Sequence, residues 1–131
     1  FGMPGAGDPD NRRMMRFDGD LNANEAATLA FMQTLGKVRD AHPALRKGDW
    51  SQPLWADADV LAWARTTATD RVVVMLNRSD AERTGEVAVG GLGFADGAEL
   101  VDALGSKTAK VVGGKLAWTL AARQAAIWVG T

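Results

Sequence analysis

RVVVMLN, residues Arg71–Asn77, is the stretch that decides the fold class. The residues from Val72 to Leu76 are all apolar, so both faces of an extended segment would be apolar. Such segments are typical of central strands, because each of their faces packs against another part of the protein. The stretch therefore predicts a strand in the middle of a sheet.

Further segments with a period of two residues follow Gly48, and they are separated by turn residues at short intervals. Gly113 and Gly114 supply the positive φ angles that a two-residue hairpin turn demands. Many short strands with such punctuation predict a mainly β fold, an antiparallel β-sandwich or barrel, preceded by a loop and one α-helix. The predicted strands cover residues 50–55, 60–65, 71–77, 86–89, 99–102, 110–112, 115–120 and 125–129.

The one predicted helix lies before the sheet, over residues 26–41, where Ala, Leu, Met, Gln, Lys and Arg are frequent. Asn22 and Glu25 have the spacing of a capping box, in which each residue bonds the backbone of the other. Pro43 disfavours helical geometry at His42 and is expected to end the helix there.

Composition limits the classes of function. The chain has 131 residues, of which 47% are hydrophobic, which is enough for one domain with a core. Fifteen basic and sixteen acidic side chains give a net charge of −1, which argues against nucleic acid and anionic membrane surfaces as partners. The chain has no cysteine, so disulfides and thiolate catalysis are excluded. The compartment stays open between secreted, periplasmic and cytoplasmic.

No cofactor or metal is predicted. Asp8, Asp10, Asp18 and Asp20 are most simply interpreted as acids of a solvated turn, and their spacing does not match an EF-hand calcium loop. His42 is the single histidine, and one histidine makes no metal site. It is interpreted as a capping or surface residue.

Two motifs in the first half of the chain carry a family resemblance. GDPDNRRMM at residues 7–15 is followed by VRDAHPALRKG at residues 38–48, and the strands VLAWAR at 60–65 and VVVMLNRS at 72–79 come after them. In this order they resemble the α-amylase superfamily, glycoside hydrolase family thirteen. The resemblance places residues 1–47 at the end of the catalytic (β/α)8 barrel, as a substrate loop and the last helix. It places residues 48–131 in the C-terminal β domain that stabilises the barrel.

The resemblance also implies what the chain binds and what it lacks. Asp8 and Arg12 correspond to loop residues that contact sugar hydroxyls of an α-glucan substrate. The catalytic acids of the family lie on barrel strands that precede this loop, so no catalytic residue is carried over. We expect the chain alone to be inactive as a glycosidase, with α-glucan and its own barrel as the partners of the full-length parent. The alternatives are a carbohydrate-binding module and a purely structural β-sandwich.

Either a homodimer of the chain or an N-terminal loop that is disordered through about residue 20 is a further expectation. Phe31, Leu35 and Val38 form an apolar stripe on the helix, and removal of the barrel would leave part of it without a partner. A second copy could cover that stripe.

Five tryptophans invite a sugar-stacking interpretation. Trp63, Trp118 and Trp128 lie within predicted strands and are expected in the core. Trp50 and Trp55, at the edges of the first predicted strand, are the candidates for a sugar-binding surface.

Overall fold

The computed structural model describes Gly5, residues 7–12 and residues 14–130. Two compact units can be distinguished, residues 1–37 and residues 38–131. Within the described residues, no helix is both long enough and apolar enough to span a membrane.

Unit 1 contains short 3-10 helices at Asp10–Arg12 and Asp18–Asp20 and most of helix α1, Ala23–Ala41. The predicted capping box is confirmed. The Asn22 side chain accepts a hydrogen bond from the Glu25 backbone N–H at 3.0 Å, and Glu25 Oε2 accepts one from the Asn22 N–H at 2.9 Å. Glu25 is buried, and its other oxygen accepts from the Arg16 guanidinium. The helix therefore begins where two reciprocal bonds satisfy its first backbone donors.

The apolar stripe predicted on α1 is partly open to solvent. Phe31 is 49% exposed, while Leu35 and Val38 are half-buried. The homodimer that would cover this stripe stays a prediction.

A second short helix, α2 at Pro43–Lys47, was not predicted. The expected break at Pro43 is present, since His42 has extended backbone angles, but Pro43 itself starts α2. Proline suits the first turn of a helix because that position needs no N–H donor. Asp70, far along the chain, caps α2: its Oδ2 accepts from the Ala44 N–H at 2.8 Å.

The predicted mainly β, antiparallel fold is confirmed, with every strand pair antiparallel. The strands follow one curled path in the order β1-β3-β4-β9-β6-β7-β8-β5, and β2 pairs with β3. The strands are β1 Asp49–Trp50, β2 Trp55–Ala56, β3 Val60–Thr66, β4 Arg71–Asn77, β5 Arg83–Ala88, β6 Glu99–Asp102, β7 Thr108–Val112, β8 Lys115–Leu120 and β9 Ala125–Gly130.

Strand β4 is central, as RVVVMLN predicts, and lies between β3 and β9. Its inward residues Val73 and Met75 join one core with Leu116, Trp118 and other buried residues from the far end of the strand path. Side chains from both ends of the curled path therefore fill a single core.

The predicted single strand at residues 50–55 is wrong, because β1 and β2 are separate two-residue strands. Pro53 lies between them and has no N–H to donate. Ser51 Oγ accepts the Ala64 N–H at 2.9 Å, so a side chain takes a place in the hydrogen-bond ladder.

Candidate functional site

Asp8 and Arg12, the two predicted substrate-contacting residues, lie beside each other in unit 1. Arg12 Nε is 2.8 Å from Asp8 Oδ1, and the two side chains are 76% and 59% exposed. The 3-10 turn brings them together, with the Arg12 N–H donating to the Pro9 carbonyl at 2.9 Å. A guanidinium has five N–H donors, so this pair leaves donors directed at solvent.

Two of the three tryptophans that were expected in the core are buried. Trp118 and Trp128 are buried, whereas Trp63 is only half-buried. Of the two candidates for a surface role, Trp50 is 66% exposed and Trp55 is half-buried. Of the two, Trp50 is therefore the remaining candidate for a sugar-binding surface.

Alternation along β3 produces the surface around Trp50. Ala62 and Ala64 of β3 point into the core, so Leu61, Trp63 and Arg65 lie on the opposite face. Trp50 of β1 pairs with Arg65 across the strands. The pairing brings β1 and the outer face of β3 into one surface.

The rings of Trp50 and Trp63 stack, with centroids 5.9 Å apart and an angle of 19° between their planes. The Arg65 guanidinium carbon lies 4.3 Å from the Trp50 ring centroid, a cation–π contact. Trp50, Ser51, Pro53, Leu61 and Trp63 line a shallow groove of about 330 Å³, which we call the Trp50 surface.

The Ser51 hydroxyl and two nitrogens of the Arg65 guanidinium, beside the Trp50 surface, are engaged within the chain. Ser51 Oγ donates to the Gln52 carbonyl at 2.7 Å and accepts from the Ala64 N–H. Arg65 donates from Nε and from one terminal nitrogen to the Gly48 carbonyl, at 3.1 and 2.7 Å. The Trp50 surface therefore presents mostly apolar atoms.

Trp55 has a structural partner. Its indole N–H donates to Asp57 Oδ2 at 2.7 Å, while Asp57 Oδ1 accepts from the Val60 and Asp59 N–H groups, each at 2.7 Å. The hydrogen bond from the Val60 backbone, followed by that from Trp55 and the charge of Arg83, lowers the pKa of Asp57 below its usual 3.8. This exposed turn keeps an ionised carboxylate and ties Trp55 to it.

His42, interpreted from the sequence as a capping or surface residue, lies at the cap of α2. Its Nδ1 is 3.3 Å from Asp70 Oδ1, and the same carboxylate caps α2 through the Ala44 N–H. Among the described residues, no group of three or more His, Asp or Glu side chains could hold a metal ion.

Two buried polar side chains were missed by the sequence analysis. Asn77 and Asp102 are 3% and 1% exposed, and each bonds backbone groups of neighbouring segments. Both stand at the last position of a strand, β4 and β6. A polar residue that ends an apolar strand is the signal that could have marked them.

The family model described as "Neopullulanase-like, C-terminal domain" matches residues 51–129. The chain belongs to this family. The resemblance drawn from its sequence motifs is thereby confirmed. As a neopullulanase-like C-terminal domain, it shares the fold found at the C-terminal region of α-amylase-family enzymes.

Similar proteins place this domain within much longer chains. A cyclomaltodextrin glucanotransferase of Klebsiella oxytoca is 37% identical over 82 residues, which cover 62% of this chain and 12% of the relative. A cyclomaltodextrin glucanotransferase of Geobacillus stearothermophilus is 40% identical over 77 residues, covering 59% and 10%. Each match therefore spans only about a tenth of the relative's length.

The solved α-amylase of Anoxybacillus superposes with a TM-score of 0.82 at 26% identity. The superposition covers 98% of this chain and 26% of the α-amylase. The neopullulanase-like domain and the segment that precedes it thus both have counterparts in a single α-amylase chain.

Proposed function

We propose that this chain is the C-terminal β domain, with the last segment of a catalytic barrel, of an enzyme that acts on α-glucans. Residues 48–131 form the domain and residues 1–47 belong to the barrel. The domain stabilises the barrel by covering its apolar surface. The relatives' names support the substrate class, since cyclomaltodextrin glucanotransferases and an α-amylase are among them.

The observation that carries this role is the Trp50 surface. Trp50 and Leu61 are 66% and 42% exposed, and Leu76, paired with Leu61 across the strands, is 41% exposed. Contiguous exposed apolar residues are typical of a surface that another protein segment covers. The occupant that we propose is the barrel of the same polypeptide, because the α-amylase counterpart of this chain makes up only 26% of that enzyme.

Sugar binding at the Trp50 surface is the competing interpretation. Sites for small ligands combine apolar walls with a few free polar groups that orient the ligand. Ser51 uses its hydroxyl within the chain, and Arg65 directs two of its nitrogens to Gly48. The geometry therefore favours an apolar protein partner over a sugar.

Trp50→Ser in the complete enzyme tests the docking role. Removing the indole should lower the free energy of unfolding by about 2.5–4 kcal/mol more in the complete enzyme than in this chain, because docking would bury the 66% of Trp50 that is exposed here, out of about 150–250 Å² for an aromatic side chain at about 25 cal/mol per Å². In this chain alone the loss should be smaller, because Trp50 is largely exposed here. Denaturant titration of both proteins measures the difference.

Val112→Ser is the matched control for Trp50→Ser, because Val112 is 70% exposed on β7, away from the Trp50 surface. It should affect the enzyme and the chain equally. Equal losses for Trp50→Ser in both proteins would contradict docking. Protection of Trp50 from chemical modification by maltotriose in the chain alone would favour the carbohydrate-binding module instead.

Asp8 and Arg12 are proposed to bind sugar hydroxyls in the complete enzyme. Arg12 uses its Nε to pair with Asp8, and its exposed terminal nitrogens can donate to a hydroxyl-rich ligand. The carboxylate of Asp8 accepts from hydroxyls and holds the guanidinium in one orientation. The same ion pair would also stabilise the loop, so a test must separate binding from folding.

Arg12→Ala in the complete enzyme should lower kcat/KM on maltooligosaccharides by roughly tenfold to hundredfold, the scale of a lost charge-assisted hydrogen bond. The unfolding midpoint should stay the same, because an exposed ion pair contributes little stability. Steady-state kinetics and a thermal melt measure the two effects.

Arg123→Ala is the matched control for Arg12→Ala. Arg123 forms a comparable exposed ion pair with Asp80, at 2.8 Å, and should leave kcat/KM unchanged. Unchanged kinetics in Arg12→Ala would reject the substrate role of the loop.

A further inference from the structure

A buried carboxylate at the start of helix α1 is bonded to the segment that follows the loop of Asp8 and Arg12. Glu25 lies in the first turn of α1 and is 1% exposed. Its Oε2 accepts from the Asn22 N–H at 2.9 Å, and its Oε1 accepts from the guanidinium of Arg16, four residues after Arg12. Glu25 therefore takes part in two contacts, the cap of the helix and a link to the loop.

Arg16 is the inward residue of an otherwise exposed segment. Met14, Met15 and Phe17 are exposed, whereas Arg16 is half-buried. Its Nε is shielded from solvent and has no hydrogen-bond partner among the described residues. The segment thus turns three apolar side chains outward and a charged one inward, the reverse of what burial of apolar area would produce. The carboxylate of Glu25 accounts for this orientation.

The other bonds of the loop are internal to it. Within the described residues 7–12, the backbone hydrogen bonds and the ion pair of Arg12 with Asp8 join loop residues to one another. Among the described side chains from residue 7 to residue 17, Arg16 makes the only hydrogen bond to α1. Four residues of extended chain span at most about 14 Å, so fixing Arg16 limits where Arg12 can lie.

A helix cap alone does not explain why Glu25 is buried. In a capping box, glutamate and glutamine both bond the backbone N–H of the N-cap residue, and neither needs a cation. Glutamate is almost never fully buried unless it is paired, because taking a carboxylate out of water is costly. The burial of Glu25 therefore depends on Arg16 and on the position of the loop.

We propose that Glu25 is a positioning residue for sugar binding, which acts through Arg16 to hold the loop of Asp8 and Arg12 in the conformation that binds an α-glucan. This inference rests on the proposed function of Asp8 and Arg12. Without the link, the loop would occupy its binding conformation for only a fraction of the time, and the apparent affinity falls by that fraction. Glu25 itself touches no sugar, because its carboxylate is buried.

Glu25→Gln in the complete enzyme separates the cap from the link, because glutamine can still cap the helix but carries no charge for Arg16. The Arg16 side chain is 38% exposed, so it can turn to solvent once that charge is lost. KM for maltooligosaccharides should rise by about threefold to tenfold, within the range of coupling between residues in contact, and kcat should stay the same. An unchanged KM would overturn the proposal.

Asn22→Ala is the matched control for Glu25→Gln. It removes the side-chain oxygen that accepts from the Glu25 N–H, which weakens the cap but leaves the pair of Glu25 with Arg16. The unfolding midpoint should fall and KM should stay the same. A KM as high as that of Glu25→Gln would mean that helix stability, rather than the link, controls sugar binding.

Arg16→Gln tests the link from the loop side and carries the test if Glu25→Gln fails to fold. It should raise KM as Glu25→Gln does, whereas Arg16→Lys, which keeps a cation for Glu25, should restore most of the lost binding. Equal KM values in Arg16→Gln and the parent enzyme would reject the link.

A combined variant shows whether Glu25 acts through the loop. In an enzyme that already carries Asp8→Ala and Arg12→Ala, Glu25→Gln should raise KM by less than about twofold, because the groups that it positions are gone. A further rise as large as that in the parent enzyme would contradict the proposed route.

Limited trypsin digestion of the complete enzyme measures the attachment of the loop without any sugar. Cleavage after Arg12 and after Arg16 should be about threefold to tenfold faster in Glu25→Gln than in the parent enzyme or Asn22→Ala, since proteolysis follows the population of the opened segment. If cleavage is faster and Arg12→Ala leaves the kinetics unchanged, the link stands and the proposed substrate role fails. If Arg12→Ala behaves as expected and Glu25→Gln changes neither cleavage nor KM, the positioning proposal alone fails.

Discussion

Gly48→Ala is expected to lower the free energy of unfolding of this chain by about 3 kcal/mol or more. A β-carbon at Gly48 would lie 2.5 Å from the Ala44 carbonyl oxygen and 2.8 Å from that of Thr66. Both are backbone atoms, so no side-chain rotation relieves the contact. Overpacking of this kind costs about 1–3 kcal/mol even where side chains can adjust.

Relief by backbone movement at Gly48 would break other bonds. The Gly48 N–H donates to the Ala44 carbonyl at 3.0 Å, and the Gly48 carbonyl accepts from Arg65. Urea denaturation measures the loss. Gly91→Ala is the control, because a β-carbon at Gly91 would meet no atom within 4 Å, and it should change stability by less than about 0.5 kcal/mol. A Gly48→Ala variant as stable as the parent chain would contradict the expected clash.

Local patterns were sufficient to predict most of the sheet. RVVVMLN is apolar at consecutive positions, and β4 has neighbours on both edges. Gly113 and Gly114 have φ of 57° and 72°, as the predicted hairpin requires. These features depend on residues close together in sequence, so the sequence alone specifies them.

Features that depend on distant residues were not predicted. Helix α2 is capped by Asp70, 26 residues after Ala44, and the break between β1 and β2 is supported by the bond from Ala64 to Ser51. Neither partner can be identified without knowing which strands are neighbours. Periodicity therefore located the elements and missed the contacts that set their ends.

The sequence predicted the Trp50 surface only in part, for a similar reason. Trp50 and Trp55 have equivalent positions in the sequence pattern, but Trp55 packs against the core and bonds Asp57, whereas Trp50 is exposed. The pairing of β8 with β5 over its full length, while β7 pairs with β8 only beside their turn, is likewise not visible in local patterns. Strand pairing of this kind is a property of the whole sheet.

Asn77→Asp is the second change with a large expected effect, a loss of about 3–5 kcal/mol in the free energy of unfolding at neutral pH. Asn77 Nδ2 donates to the carbonyls of Ala81 and Ala121, each at 2.8 Å, while Oδ1 accepts from the Ser79 N–H at 3.0 Å. Aspartate keeps the acceptor and replaces the donor with an oxygen. A buried carboxylate would then face two carbonyl oxygens without a partner.

The pH dependence of Asn77→Asp identifies the cause of this loss. Burial beside carbonyl oxygens favours the protonated acid, so the folded state holds the proton to a higher pH than the unfolded chain, whose aspartate pKa is about 3.9. The deficit relative to the parent chain should be full at neutral pH and smallest below about pH 4, where the protonated oxygen donates one hydrogen bond. Urea titrations of both proteins across this range measure the deficit.

Asn22→Asp is the control, because Asn22 is exposed and caps helix α1 through its side-chain oxygen, which aspartate keeps. It should change stability by less than about 0.5 kcal/mol at neutral pH. A deficit in Asn77→Asp that does not change with pH would mean that the charge is not its cause.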